Sequence, residues 1–363
     1  MVISAINNLC RHFVFHMSKR VRRGRYLSIL MVHGVTDDSI DAEWVPLRPR
    51  LGIQCLEQYL VMLSRHYQFV SLHEAVEMVT RKASISPFPL VITFDDGYRN
   101  NLEVALPVLK QFNVSPTIFL ATGHNSRRMP FWFDRLDYAL QHSDIAGRKL
   151  SVGGKTIIFR SNNRFDLYRG YKALRVAAKE LMRPDSEIIR EIEQLTDRLE
   201  MESGKSLVNI FERDKWSSVL TWEEIKLAAS DGVEFGSHTV DHVRLALCDA
   251  ESVRFQLEES RKIVQQYTGR PCRYLCYPYG SFDRRIMKVA RDVGYEAAVT
   301  TLPGLNRIGD DPMGLRRINF PVQGQKGYLL GNLANWRGFK SMFHLSKDWI
   351  LQRQRYQKNI LGD

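Results

Sequence analysis

The chain has 363 residues, 44% of them hydrophobic, and a formal net charge of +12, so it can bury a large core and one elaborated domain accommodates it. Its five cysteines (Cys10, Cys55, Cys248, Cys272 and Cys276) are odd in number and lack close pairs of metal-binding spacing, which argues against a disulfide framework and for a reducing compartment. No apolar run approaches the roughly 20 residues that cross a bilayer, and no nucleic-acid recognition motif accompanies the positive charge, so nucleic acid is not an expected partner.

Residues 1–25 gather much of the charge: Arg11, Lys19, Arg20, Arg22, Arg23 and Arg25 are interleaved with Ile3, Ile6, Leu9, Phe13, Val14 and Phe15. Such a basic amphipathic segment suits the surface of an anionic membrane, or equally a solvated face docked on the rest of the protein. It lacks the apolar core and small-residue cleavage site of a signal peptide, so the expectation is a cytoplasmic protein, peripheral at the inner face of the membrane. The first predicted strand, 26–33, ends in His33 and Gly34. A stretch of helical period, Leu56–Tyr67, leads to the next strand at 90–95, where Val91 to Phe94 run straight into Asp95, Asp96 and Gly97. Burying one ionised carboxylate is costly, and a second beside it adds repulsion. A metal ion or a proton is the usual compensation, although aspartates capping a helix would look the same.

A helix at Leu102–Phe112 and a strand at 116–122 follow. Residues 124–220 then break the rhythm. FWFDRLDYAL at 131–140 is aromatic-rich with helical period, KLSVGGKTIIF at 149–159 reads as a hairpin turning at Gly153 and Gly154, and charged helical stretches run from Phe165 to about Glu200. Coming after a strand's C-terminal end, this insertion belongs on the active-site side, as the wall of a groove, a dimer interface or a solvated lid. The strand at 233–238 delivers His238, with His242 four residues on and Thr239 and Asp241 between. In a helical turn the two imidazoles would converge on one point, and neutral imidazole is the commonest metal ligand. With one carboxylate they would form a two-histidine, one-carboxylate face that leaves positions open. A helix at Ala250–Tyr267 precedes the strand 273–278, which closes in Pro278, Tyr279 and Gly280. The backbone N–H groups of that turn could point inward as oxyanion donors, or simply reverse the chain. A helix at Asp283–Val293, closed by Gly294, strands at 296–301 and 316–321 and a helical tail at 323–363 complete the chain. Seven strand-then-helix units predict parallel strands with right-handed crossovers. The expected α/β fold is a distorted seven-stranded (β/α) barrel over 26–322 carrying the insertion, with an open doubly wound sheet as the alternative.

TFDDG at 93–97, HTVDH at 238–242 and YPYG at 277–280, in this order, resemble the motifs of polysaccharide deacetylases with a NodB-homology domain, carbohydrate esterase family 4. The resemblance covers roughly residues 26–123 and 220–322. It implies that Asp95 is a general base, that Asp96, His238 and His242 hold a divalent transition ion (zinc, or cobalt or nickel), and that backbone near Tyr279 helps hold an oxyanion. The arginine that many members carry before the third motif is Cys276 here. No C-terminal motif supplies the usual acid, since His344 in FHLS lies past the last strand. A permuted branch that includes poly-N-acetylglucosamine deacetylases takes its acid histidine from an early strand, which here would be His33, and Arg317 of LRRINFP could replace the missing arginine. The implied reaction removes an N-acetyl group from an amino sugar of a cell-surface polysaccharide or its lipid-linked precursor. Two rivals stand beside it: deformylation or another amide hydrolysis on the same scaffold, and a decayed carbohydrate-binding protein, which only the absent arginine favours.

Overall fold

The computed structural model describes residues 26–37, 42–83, 86–322 and 326–333. The basic segment 1–25, most of the tail and His344 lie outside the described residues. Seven strands form the core: β1 (Tyr26–Val32), β2 (Pro89–Phe94), β3 (Thr117–Leu120), β4 (Glu234–Ser237), β5 (Tyr274–Cys276), β6 (Ala297–Pro303) and β7 (Leu315–Asn319). Their order around the sheet follows the chain. β1 pairs in parallel with β2, from Ser28↔Leu90 to Val32↔Phe94, and with β7, at Leu30↔Ile318 and Met31↔Asn319, so the sheet closes. The open-sheet alternative is thereby excluded and the seven-strand barrel stands. Its distortion is local: β4 meets β5 only at Leu275↔Ser237, and the β6–β7 register shifts between Val299 and Pro303.

Both faces of these strands are apolar because both are covered, as parallel strands require. Alternation then sorts the residues. Leu30, Val32, Ile92, Phe94, Ile118, Leu275 and Ile318 pack outward into one cluster with the surrounding helices. Leu27, Ile29, Val91, Phe119, Tyr274, Cys276, Val299 and Leu315 point the other way and pack with the helix Leu72–Val79. Asp95 continues the inward series of Val91 and Thr93, and Arg317 continues that of Leu315.

The predicted helices appear with shifted ends. The first runs Ile53–Ser64. The stretch at 102–112 opens with a widened turn, Asn101–Ala105, before the helix Leu106–Gln111. Pro107 at its start has no N–H to donate back to the preceding turn, which accounts for the break. Helices Ala250–Thr268 and Arg284–Val293 end at left-handed Gly269 and Gly294. The insertion contains the helix Trp132–His142, the hairpin strands Lys149–Val152 and Lys155–Ile158, and the helices Arg164–Glu180 and Asp185–Ser203. Gly153 and Gly154 both take positive φ, as a two-residue hairpin turn of this hand needs. The insertion buries a cluster of its own, including Leu136, Leu140, Phe159, Leu174, Ile188 and Ile192. No helix among the described residues is long and apolar enough to cross a membrane.

Gly236 shows how narrow the interior is. A Cβ placed there would lie 2.6 Å from the Phe119 ring and 2.8 Å from the Tyr274 carbonyl oxygen. Gly236→Ala should therefore destabilise the barrel by about 1–3 kcal/mol, the usual cost of overpacking. A urea titration should show a lower midpoint with an unchanged slope; coincident midpoints would mean that the ring is not seated as described.

Candidate active site

The C-terminal strand ends gather an unusual backbone. Eight non-glycine residues among those described take positive φ, and four of them, Asp96, Thr239, His242 and Tyr279, lie at this one end of the barrel. Each costs on the order of 1–3 kcal/mol and persists only where the surroundings enforce it. Asp96 (φ 74°) is followed by Gly97 (φ 66°), so the chain reverses within two residues of β2 and the adjacent carboxylates diverge.

The first carboxylate is fully engaged. Arg317 of β7 forms a two-pronged pair with Asp95, Nη1 to Oδ1 and Nη2 to Oδ2 both at 2.7 Å. The guanidinium is held in turn by the Thr300 carbonyl (2.9 Å), Thr93 Oγ1 (3.0 Å) and Cys276 Sγ (3.1 Å). Burial alone would raise the Asp95 pKa, but Arg317 overrides it and holds the carboxyl well below the usual range. The guanidinium that the motif lacks at Cys276 thus arrives from β7 and packs against that same cysteine.

The second carboxylate has the opposite environment. Asp96 Oδ1 is buried and has no hydrogen-bond partner. It lies 3.6 Å from His238 Nε2 and 3.4 Å from His242 Nε2. His238 Nδ1 is 2.7 Å from the Cys276 carbonyl, so Nδ1 carries the proton and Nε2 presents its lone pair. Desolvation lowers the pKa of both histidines, which are neutral. Desolvation also raises Asp96 to about 7, with Arg48 opposing and Asp95 reinforcing. A carboxylate oxygen and two imidazole nitrogens converge here with no hydrogen bond to that oxygen, an arrangement that a cation, or a proton on Asp96, would satisfy. Asp95, His238 and Cys276 also lie close enough together to share an ion. That grouping is the poorer one, because both Asp95 oxygens already accept from Arg317 and burial pushes the Cys276 thiol well up.

The histidines do not converge through a helical turn, as their spacing had suggested. Residues 238–242 form an irregular bend in which Thr239 and His242 are left-handed. Gln256 braces the bend: its Oε1 accepts from the N–H groups of Val240 (3.0 Å) and Asp241 (2.9 Å), while Thr239 Oγ1 accepts from His242 N (3.0 Å). A side chain from a distant helix thus does the work expected of local hydrogen bonds, and no local pattern could show it.

His33 follows β1 at the same end, its carbonyl accepting from Asn101 Nδ2 (2.7 Å). Its ring is open to solvent yet walled by protein. That crowding is the largest influence lowering its pKa, with Asp95 opposing and Arg48 and Arg317 adding to the depression. Tyr279 sits left-handed between Pro278 and Gly280, and its ring centroid lies 4.7 Å from that of His242. Gly280 and Ser281 donate to the Tyr277 and Pro278 carbonyls, bonds in which the Tyr279 N–H takes no part. All seven singled-out residues therefore meet at one mouth. Sequence reading missed the side of that mouth built by Arg48, Tyr98 and Asp134. Arg48 Nη2 donates to Tyr98 Oη (2.5 Å) and Asp134 Oδ1 (2.8 Å), and Phe131 and Phe133 pack edge-on to His242. Only the aromatic run at 131–133 gave a signal, and it read as a helix face.

A closed barrel of seven parallel strands, with a carboxylate and two histidines clustered beside an arginine-bound carboxylate at its C-terminal end, defines the class. Residues 83–298 match the polysaccharide deacetylase family, and the chain belongs to it. The Bacillus subtilis (strain 168) protein YxkH, named for the same family, is 23% identical over 238 residues, 66% of this chain. The chain spans about half (53%) of that relative's length. Among solved structures, the Streptococcus pyogenes deacetylase PplD, in complex with acetate, superposes with a TM-score of 0.54 at 16% identity, covering 85% of this chain and 98% of that one. IcaB from Ammonifex degensii gives 0.50 at 18% identity, covering 86% and 97%.

Removing Arg317 should expose how much Asp95 depends on it. In Arg317→Met a buried carboxylate loses the one cation that pairs with it among the described residues, at a cost of about 3–5 kcal/mol near neutral pH. Asp95 is depressed in the wild type, so its stabilising contribution is present above the unfolded carboxylate value of roughly 3.9 and fades as pH falls below it. In the variant the unpaired carboxyl is raised and is relieved by protonation. The stability gap between the two proteins should accordingly be widest above about pH 5 and shrink towards pH 3. A gap that does not change with pH would show that the pair is not ionised.

Proposed function

We propose that the protein is a metal-dependent carbohydrate N-deacetylase that hydrolyses the acetamide of an amino sugar in a polysaccharide or its lipid-linked precursor. The observation that carries this reading is the unpartnered Asp96 Oδ1 between two neutral imidazoles, one residue from a carboxylate held ionised by Arg317. Asp96, His238 and His242 would hold the ion, and the donor set suits zinc, with cobalt or nickel as alternatives. When bound, such an ion acidifies water and polarises a carbonyl.

The chain's own residues supply the rest. Asp95 stays ionised, as a proton acceptor must, and each of its oxygens keeps a second lone pair beyond the one given to Arg317. It takes the proton of the attacking water, at the cost of reduced basicity. Arg317 fixes the orientation of that carboxylate. The Tyr279 N–H would donate to the oxyanion that develops on the acetyl carbonyl oxygen, an interaction worth roughly 3–4 kcal/mol for one good donor. His33 protonates the departing amine. It is neutral at rest, so it takes up a proton from solvent once attack has developed negative charge beside it, and passes that proton to the nitrogen as the C–N bond breaks. With Arg317 in place, the decayed carbohydrate-binding reading loses the one feature that favoured it. The cytoplasmic, membrane-peripheral placement remains part of this proposal and rests on the charge of residues 1–25.

Acetate release from N-acetylated oligosaccharides by zinc-loaded protein tests the reaction. Asp95→Asn should slow it by about 10²–10⁴-fold, the usual worth of a general base. His33→Ala should damage amide hydrolysis more than hydrolysis of an activated acetyl ester, whose leaving group needs no proton; equal losses on both would refute the acid role. Equilibrium dialysis tests the ion independently of activity. The wild type should retain zinc, and Asp96→Asn and His242→Ala should release it, whereas retention by both variants would place the ion elsewhere.

A further inference from the structure

We propose that the insertion helix Arg164–Glu180 supplies an anion-binding subsite beside the reacting centre, so that the acetamido sugar processed here carries a negative group, a phosphate or a carboxylate. This rests on the deacetylase reading and narrows its substrate. Arg175 and Lys179 lie one turn apart on that helix, on one face. Lys179 Nζ sits 4.9 Å above the centroid of the Tyr279 ring, which itself lies 4.7 Å from His242. The Arg175 guanidinium covers the rings of Phe133 (5.3 Å) and Tyr171 (5.4 Å), and its Nε is buried without a partner. Phe133 also packs on His242, so both cations reach the site through aromatic rings that touch a proposed ion ligand.

Neither Arg175 nor Lys179 has a carboxylate within ion-pair distance among the described residues. Other cations of the insertion do: Arg135 pairs with Asp197 and Glu200, Arg148 with Glu202, Arg183 with Glu191. Arg48 and Arg50 next to them must share one carboxylate, Asp134. Counted by ion pairs among the described residues, Arg48, Arg50, Arg175 and Lys179 have one carboxylate, Asp134, between them, with Asp96 and Asp137 acting on the cluster at longer range. Lys179, whose side chain remains exposed, is consistent with this: crowding by protein, then Arg175 and Arg48, bring its pKa down to about 8, with Asp96 opposing. Cations on aromatic faces without a counter-ion are what an incoming phosphate or carboxylate would stabilise.

The test compares acetate release from a neutral N-acetylglucosamine oligomer, from N-acetylglucosamine 1-phosphate and from an N-acetylated uronic acid. The two anionic arms distinguish a phosphate from a carboxylate. Wild-type protein should favour one anionic substrate by about tenfold or more in kcat/KM, an effect of one good charge contact. The Arg175→Gln/Lys179→Gln double variant should lose that preference, mainly through KM. Arg175→Lys and Lys179→Arg, which keep the charge, should retain it. Equal rates on charged and neutral substrates, a preference that survives the Gln variant, or loss in the charge-keeping variants too would overturn the subsite. If the wild type cleaves none of these substrates and no activated acetyl ester, the deacetylase reading has failed separately. Calorimetry with N-acetylglucosamine 1-phosphate then still decides the subsite, because binding at the ion is common to wild type and variant. Weaker binding by the Gln variant supports the subsite, and equal binding overturns it.

Discussion

Two carboxylates adjacent in sequence at a buried strand end cannot share one environment, and the pairing of Arg317 with Asp95 is what separates them. Arg317 reaches Asp95 across the interior of a closed barrel, from β7 to β2, with β1 between. Once that guanidinium is committed, no other fully charged side chain is within ion-pair distance of Asp96 among the described residues. Its only partners at such range are two imidazoles that are neutral. A site that a cation or a proton could satisfy follows from this division of labour. Had Arg317 bridged both carboxylates, the pair would be a structural ion cluster and no ligand set would remain.

The same end of the barrel holds the strained backbone. Left-handed Asp96, Thr239, His242 and Tyr279 each oppose folding, and a β-branched residue such as Thr239 does so most. The strain is sustained by what lies beneath: interior residues packed so closely that Gly236 admits no methyl group, and an outer apolar layer continuous with the helices. In return, the turns aim side chains that regular strand or helix geometry would point elsewhere. A relaxed version of the 238–242 bend would separate the two imidazoles, and Gln256 and the Thr239 hydroxyl are what hold it.

Much of this was legible in the sequence because the relevant signals are local. Seven short apolar runs closed by turn residues point to parallel strands, though not to their closure into a barrel, and Asp95, Asp96, His238, His242 and Tyr279 each stand at or just past the end of such a run. His33 and Arg317 were harder, since a strand-end histidine and an alternating strand arginine look ordinary alone. They stood out only because a resemblance left two roles unfilled. The bend at 238–242 was not legible: four-residue spacing offered convergence only through a helical turn, whereas the actual brace, Gln256, lies in another element. Arg48 was invisible: it follows no period, and its partners Tyr98 and Asp134 lie 50 and 86 residues away. Arg175 and Lys179 lay unremarked in the charged stretch from Phe165 to about Glu200, and only the fold brings them beside Tyr279 and Phe133.

That last placement gives the insertion a physical role that the barrel cannot fill. Barrel residues at the mouth are nearly self-neutralising: Arg317 answers Asp95, and an ion would answer Asp96. The surplus comes from outside the strands, from two arginines sharing Asp134 and from two cations on the insertion helix. A neutral acetamide does not call for such a surplus, and a resident dication would enlarge it. Positive potential focused in a cleft raises the local concentration of anions and speeds their capture. On the proposed reading, the chemistry belongs to the strand ends and the choice of sugar to the insertion. That division would assign reactivity and selectivity to separate parts of the chain.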